Sequence, residues 1–151
     1  MNKQASRPWL VVALGLAAAG AALAALATPA GAAEEGRLTT HVLDTASGKP
    51  AAGMEIEFSV REGDGYRPLK TIRTNADGRA DAPLLQGPEM AVGRYRLVFH
   101  VADYFAQAGV SLPDPPFLDE VPLEFAISDA AAHYHVPLLT SPWSYTTYRG
   151  S

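Results

Sequence analysis

The chain has 151 residues, 48% of them hydrophobic and 19% charged, the profile of one ordinary globular domain with too little polarity for disorder. Its formal net charge is −4 and its lysines and arginines are scattered, so no basic stripe tracks a phosphate backbone and nucleic acid is excluded as a partner class. It has no cysteine, which rules out disulfide staples and a lipid anchor on sulfur and leaves an apolar core to hold the fold.

The N-terminal stretch differs in composition from the rest. Lys3 and Arg7 precede an apolar run over residues 10–27, and the small residues Thr28, Pro29, Ala30, Gly31, Ala32 and Ala33 close it ahead of Glu34 and Glu35. This layout predicts a secretory signal peptide over 1–33, cleaved near Ala33, and a periplasmic or secreted domain over 34–151. The alternative is an uncleaved anchor, because the run nearly spans a bilayer. Small residues at its end and the lack of a basic stop-transfer cluster favour cleavage, after which no membrane association is expected.

Beyond the signal, the first strand reads Leu38-Thr39-Thr40-His41-Val42-Leu43-Asp44. Leu38 and Val42 share one face and Thr39 and His41 the other, so His41 points away from the core. After the turn Ser47-Gly48-Lys49-Pro50, the residues Met54, Ile56, Phe58 and Val60 alternate with Glu55, Glu57 and Ser59 as in a half-buried strand. The turns Glu62-Gly63-Asp64-Gly65 and Asn75-Ala76-Asp77-Gly78 follow. A third alternating run sets Tyr95, Leu97 and Phe99 against Arg94, Arg96 and Val98. A fourth, beyond Pro113-Asp114-Pro115-Pro116, sets Val121, Leu123, Phe125 and Ile127 against Pro122, Glu124 and Ala126. In His133-Tyr134-His135-Val136-Pro137-Leu138 the apolar set Tyr134, Val136 and Leu138 turns both histidines outward. Around Tyr145 and Thr147 neither face is clearly apolar.

No segment sustains a 3.6-residue apolar period over three turns, so helix is confined to a turn or two around 84–90 or 104–108. The expectation is an all-β, two-sheet antiparallel β-sandwich of seven or eight strands with one short helix.

Alternation turns three of the four histidines outward, and an exposed strand face carries histidine as readily as any polar residue. His100, at a strand end without a partner motif, is read as such a residue. The His133-x-His135 pair can converge on a metal, yet no cysteine and no third ligand are suggested by local spacing, so no metal is expected.

Four segments carry a resemblance: Leu38-Thr39-Thr40-His41-Val42-Leu43-Asp44-Thr45, Thr74-Asn75-Ala76-Asp77-Gly78-Arg79, His133-Tyr134-His135-Val136-Pro137-Leu138-Leu139 and Tyr148-Arg149-Gly150-Ser151. In that order they resemble the signature blocks of the 5-hydroxyisourate hydrolases of the transthyretin-like family, over essentially everything from Leu38 to Ser151. The hormone carrier transthyretin resembles the first block and the Ser141-Pro142 region but lacks the His-x-His pair and the Tyr-Arg-Gly-Ser block. Trp143, where family members often carry Tyr, and the Pro-rich stretch over 112–122 depart from the pattern.

The resemblance implies two four-stranded sheets, a short helix and a homotetramer built as a dimer of dimers, whose interface closes active sites at the mouths of a central channel. It implies hydrolysis of 5-hydroxyisourate to 2-oxo-4-hydroxy-4-carboxy-5-ureidoimidazoline in urate degradation, without cofactor. The implied catalytic residues are His41, Arg79, His135 and Ser151, and the implied substrate contacts are His41, Arg79, Tyr148 and His133. Opening the N1–C6 lactam needs a nucleophilic water, and histidine has the pKa for that task. Arg79 offers a planar fork of donors to the ring oxygens. The expected arrangement has His135 holding His41 in its working tautomer. The alternatives are a transthyretin-like carrier or exported binding module, and a metal-dependent hydrolase.

Overall fold

The computed structural model describes residues 35–151, so the predicted signal peptide over 1–33 lies outside the described residues. The elements in chain order are β1 (Arg37–Asp44), β2 (Lys49–Pro50), β3 (Glu55–Glu62), β4 (Gly65–Arg73), β5 (Leu85–Gln86), β6 (Gly93–His100), α1 (Val101–Gln107), β7 (Glu120–Ile127), β8 (His133–Thr140) and β9 (Tyr145–Thr147). A single 3₁₀ turn, Gly87–Glu89, separates β5 from β6. Helix therefore occurs in both places where the sequence allows it, and only α1 is α-helical.

Two sheets form, one in the order β2-β1-β8-β9 with β5 added on β1, the other in the order β4-β3-β6-β7. Strands β1 and β7 bury alternate residues, and β3, β6 and β8 do so over part of their length, because successive side chains leave a pleated strand on opposite sides. From the first sheet Leu38, Val42, Tyr134, Val136 and Leu138 enter the core; from the second come Ile56, Phe58, Leu97, Phe99, Val121 and Leu123. Phe105 of α1 joins the same cluster. Burying each such side chain stabilises the fold by about 1.5–3 kcal/mol, which lets a chain without disulfides hold together.

Two features fall outside the periodicity. The long pairing of β1 with β8 is parallel, with Thr39 opposite His135 and His41 opposite Pro137, whereas the other strand pairs are antiparallel. Alternation reports a strand's faces and carries no information about its direction. The edge strand β4 is exposed along most of its length and so shows no alternation. Its Pro68 sits at a bulge, where the register against β3 shifts between Phe58 and Ser59, an arrangement that suits a residue unable to donate to the ladder.

Candidate active site

The outer face of the first sheet gathers the polar residues that alternation turns away from the core. Along β1 the residues Leu38, Thr40, Val42 and Asp44 are buried while Thr39 and His41 are half-buried. Along β8 His133 and His135 are likewise half-buried, alternating with the buried Tyr134 and Val136. Because β1 and β8 lie side by side in register, His41 sits diagonal to His135, and their rings stack at 28° with centroids 6.5 Å apart.

Arg79 reaches this face through a turn. Asn75 accepts hydrogen bonds at Oδ1 from the backbone N–H groups of Asp77 and Arg79, at 3.0 and 3.2 Å. Gly78 has φ +71°, and a Cβ there would lie 2.4 Å from the Val42 carbonyl oxygen, so the chain can pass only with glycine. The Val42 N–H donates to the Gly78 carbonyl at 2.8 Å, and the next residue, Arg79, forms an isolated antiparallel bridge with His41.

The segment after β9 closes the other side. Gly150 and His135 exchange backbone hydrogen bonds, the Gly150 N–H donating at 2.8 Å and the His135 N–H at 3.2 Å. Arg149 donates from Nη2 to the His133 carbonyl at 3.3 Å and holds its guanidinium 4.7 Å from the Tyr134 ring centroid. Ser151 thereby joins Arg37, Thr39, Arg79, His133, Tyr134 and His135 around an open cavity of about 300 Å³.

Of the residues singled out in the sequence, Arg79, His133, His135 and Ser151 share this cavity, and His41 stacks at its edge. Tyr148 does not join them within one chain. It is 57% exposed and borders a separate groove with Phe125, Val136 and Thr147.

The expected link between the two histidines takes another form. Their rings stack without a hydrogen bond, and His135 is instead engaged at Nδ1 by Thr39 Oγ1, 2.8 Å away. The Asp77 backbone, on the turn that carries Arg79, is instead the polar neighbour of His41. Stacking follows from a diagonal placement on neighbouring strands, whereas Thr39 is directly beside His135. Thr39 was legible only as a member of the same alternating face as His41 and Gly150 only as part of a block, while Arg37 lies just before the residues read as the first strand.

The surroundings of both imidazoles favour the neutral form. Desolvation and then the Arg79 guanidinium lower the pKa of His41, against smaller opposing contributions from Asp77. Desolvation, Arg79 and then His41 lower that of His135. A neutral imidazole beside a fixed cation is the form a general base requires, and Arg79 supplies donors for a developing oxyanion.

His100 has more company than its sequence context suggested. Its Nε2 lies 3.1 Å from Glu57, and its Nδ1 lies 3.6 Å from Glu120 and 3.9 Å from Asp103. Glu57 and Glu120 arrive from β3 and β7, so no local spacing could announce them, whereas Asp103 lies three residues on in α1. Among the described residues, Glu55, Glu57 and His100 are the one group of three possible metal ligands. They belong to the second sheet, away from the histidine cavity, and Glu55 is already paired with Arg73.

Comparison with known proteins places these features in a family. The profile of the HIUase/Transthyretin family matches residues 38–150. The 5-hydroxyisourate hydrolase 2 of Rhizobium meliloti (strain 1021) is 59% identical over 118 residues, covering 78% of this chain and 98% of that protein. The structure of Klebsiella pneumoniae 5-hydroxyisourate hydrolase superposes with a TM-score of 0.63 at 35% identity, covering 77% of this chain and 94% of that one. Sea bream transthyretin in complex with thyroxine superposes with a TM-score of 0.67 at 28% identity, covering 76% and 96%.

Proposed function

The chain belongs to the HIUase/Transthyretin family, and from that premise we propose that its hydrolase chemistry is carried by the cluster of His41, Arg79 and His135. The reaction is the hydrolysis of 5-hydroxyisourate, a step of urate degradation, as in relatives 55–60% identical to it. The fold alone does not separate enzyme from carrier, since a transthyretin superposes as well as a hydrolase. The observation that carries the site assignment is the pair of half-buried, stacked histidines with Arg79 bridging one of them and lining the cavity beside the other.

In this reading a histidine of the pair takes a proton from water as its oxygen adds to C6 of the ring. Arg79 holds the flat substrate through its carbonyl oxygens and stabilises the oxyanion. The C6–N1 bond then breaks as N1 takes the proton back from the histidine, and C6 becomes a carboxylic acid that ionises to the carboxylate of the product. Ser151 lines the cavity where a hydroxyl can orient water or substrate, and His133 flanks the same space.

A face this open calls for a cover. Tyr145 and Tyr148 are exposed aromatics on and after the edge strand β9 of the same sheet, and a second copy of the chain laid across this sheet would turn a shallow cavity into a pocket. We read the assembly as a homotetramer, a dimer of dimers, which also gives Tyr148 a route to substrate across an interface. We likewise read residues 1–33 as an export signal, on the composition of that segment, and the mature domain as periplasmic or secreted.

The test is the decay of 5-hydroxyisourate generated by urate oxidase. Decay faster than the spontaneous rate supports the enzyme; binding without faster decay supports a carrier; loss of turnover on chelation supports a metal-dependent hydrolase.

A further inference from the structure

Thr39 and His135 face each other in register on the parallel strands β1 and β8, 96 residues apart in sequence. Their side chains share the outer face, and Thr39 Oγ1 lies 2.8 Å from His135 Nδ1. With Nδ1 engaged, Nε2 is the ring nitrogen left for the cavity that both residues line.

The ring is confined from a second direction. A Cβ built on Gly150 would lie 3.0 Å from His135 Cβ, 3.1 Å from Cδ2 and 3.4 Å from Cγ. The backbone of Gly150 lies outside the left-handed region, so glycine is needed there for room and not for conformation. Any larger residue would press on the imidazole, because the paired backbones of Gly150 and His135 cannot separate without losing both hydrogen bonds.

We propose that Thr39 and Gly150 are positioning residues for His135: Thr39 accepts the Nδ1–H and so fixes the tautomer with the lone pair on Nε2, and Gly150 fixes the ring's place. The choice of tautomer follows from the neighbours. Arg79 lines the same cavity and has only donors to offer, so a lone pair facing it is favoured over an N–H. The Thr39 hydroxyl lines the open cavity, where its own proton can go to solvent while its oxygen accepts from Nδ1–H. This inference rests on the reading of His135 as part of the active site.

The experiment is ¹⁵N NMR of the imidazole side chains in the intact protein, at a pH about two units above the ordinary histidine pKa. The His135 signals are identified by their loss in His135→Gln. The expected result is a pyrrole-like Nδ1 and a pyridine-like Nε2, shifting towards the opposite tautomer in Thr39→Val and retained in Thr39→Ser. In parallel kcat falls roughly tenfold or more in Thr39→Val, with KM changed by less than about twofold, and Thr39→Ser recovers most of it. Gly150→Ala is expected to displace the His135 resonances and lower kcat, with far-UV circular dichroism unchanged.

A protonated Nε2 in the unsubstituted protein, an unchanged tautomer in Thr39→Val, or full kcat in Thr39→Val or Gly150→Ala overturns the proposal. The NMR measurement uses no substrate. Its failure leaves the hydrolase reading standing, and an unsubstituted protein without turnover sinks that reading whatever the tautomer.

Discussion

His41 and Arg79 are bridge partners across an antiparallel contact between β1 and the Asn75–Gly78 turn, so the backbone that carries the cation beside the histidine is pinned to β1 and to the Asn75 side chain. This pairing ties the electrostatics of the site to one short turn.

The first consequence is the acid limb of the pH–rate profile. A base works while neutral, so activity falls as pH drops through the apparent pKa of the histidine pair. Desolvation and Arg79 lower both pKa values, placing the limb below the ordinary histidine value of about 6.5. Arg79→Gln removes the cation and leaves the desolvation, so the limb of kcat/KM moves up in pH. The same substitution lowers kcat/KM at neutral pH by roughly 10²–10³-fold, the usual loss for an oxyanion donor. A limb that stays in place would show that Arg79 does not set the titration.

Gly78→Ala tests the turn. The φ of +71° costs a residue with a Cβ about 1–2 kcal/mol before any clash, and the added Cβ would meet the Val42 carbonyl at 2.4 Å. Thermal or urea unfolding is expected to show a loss above that figure, with kcat lowered in the fraction that remains folded because Arg79 is displaced. Unchanged stability would contradict the turn geometry.

Asp44 offers a test of stability outside the cavity. Its buried carboxylate accepts from the N–H groups of Ala46 and Ser47, from the Ser47 hydroxyl at 2.7 Å and from the Tyr104 hydroxyl at 3.3 Å, joining the β1–β2 turn to α1. Asp44→Ala is expected to lower unfolding free energy by roughly 1–3 kcal/mol in a urea titration, while kcat of the folded protein is kept. A collapse of kcat at full stability would place Asp44 in the active site instead.

Chelation separates the hydrolytic mechanism from a metal-assisted one. The histidine cavity needs no metal in this account, so dialysis against a chelator is expected to leave turnover unchanged. Its loss, restored by a divalent cation, would reassign the chemistry.

The strand faces were legible in the sequence because burial and side-chain period coincide: Leu38 and Val42 against His41, and Tyr134, Val136 and Leu138 against His133 and His135, lie as alternation requires. What joins those faces was not legible. The parallel register that sets Thr39 beside His135 spans 96 residues, and periodicity says nothing about a neighbour so distant. Glu57 and Glu120 beside His100 come from other strands and went unread for the same reason. Strand β4 escaped notice because an edge exposed on both sides has no apolar face to alternate.

The most direct measurement is the decay of freshly generated 5-hydroxyisourate, followed spectroscopically with the purified protein and with His41→Ala at equal concentration and equal assembly size in gel filtration. The account predicts decay well above the spontaneous rate with the unsubstituted protein and a loss of about 10²–10⁴-fold in His41→Ala, the range of a general base. Decay at the spontaneous rate with the unsubstituted protein, or equal rates in both, would contradict it.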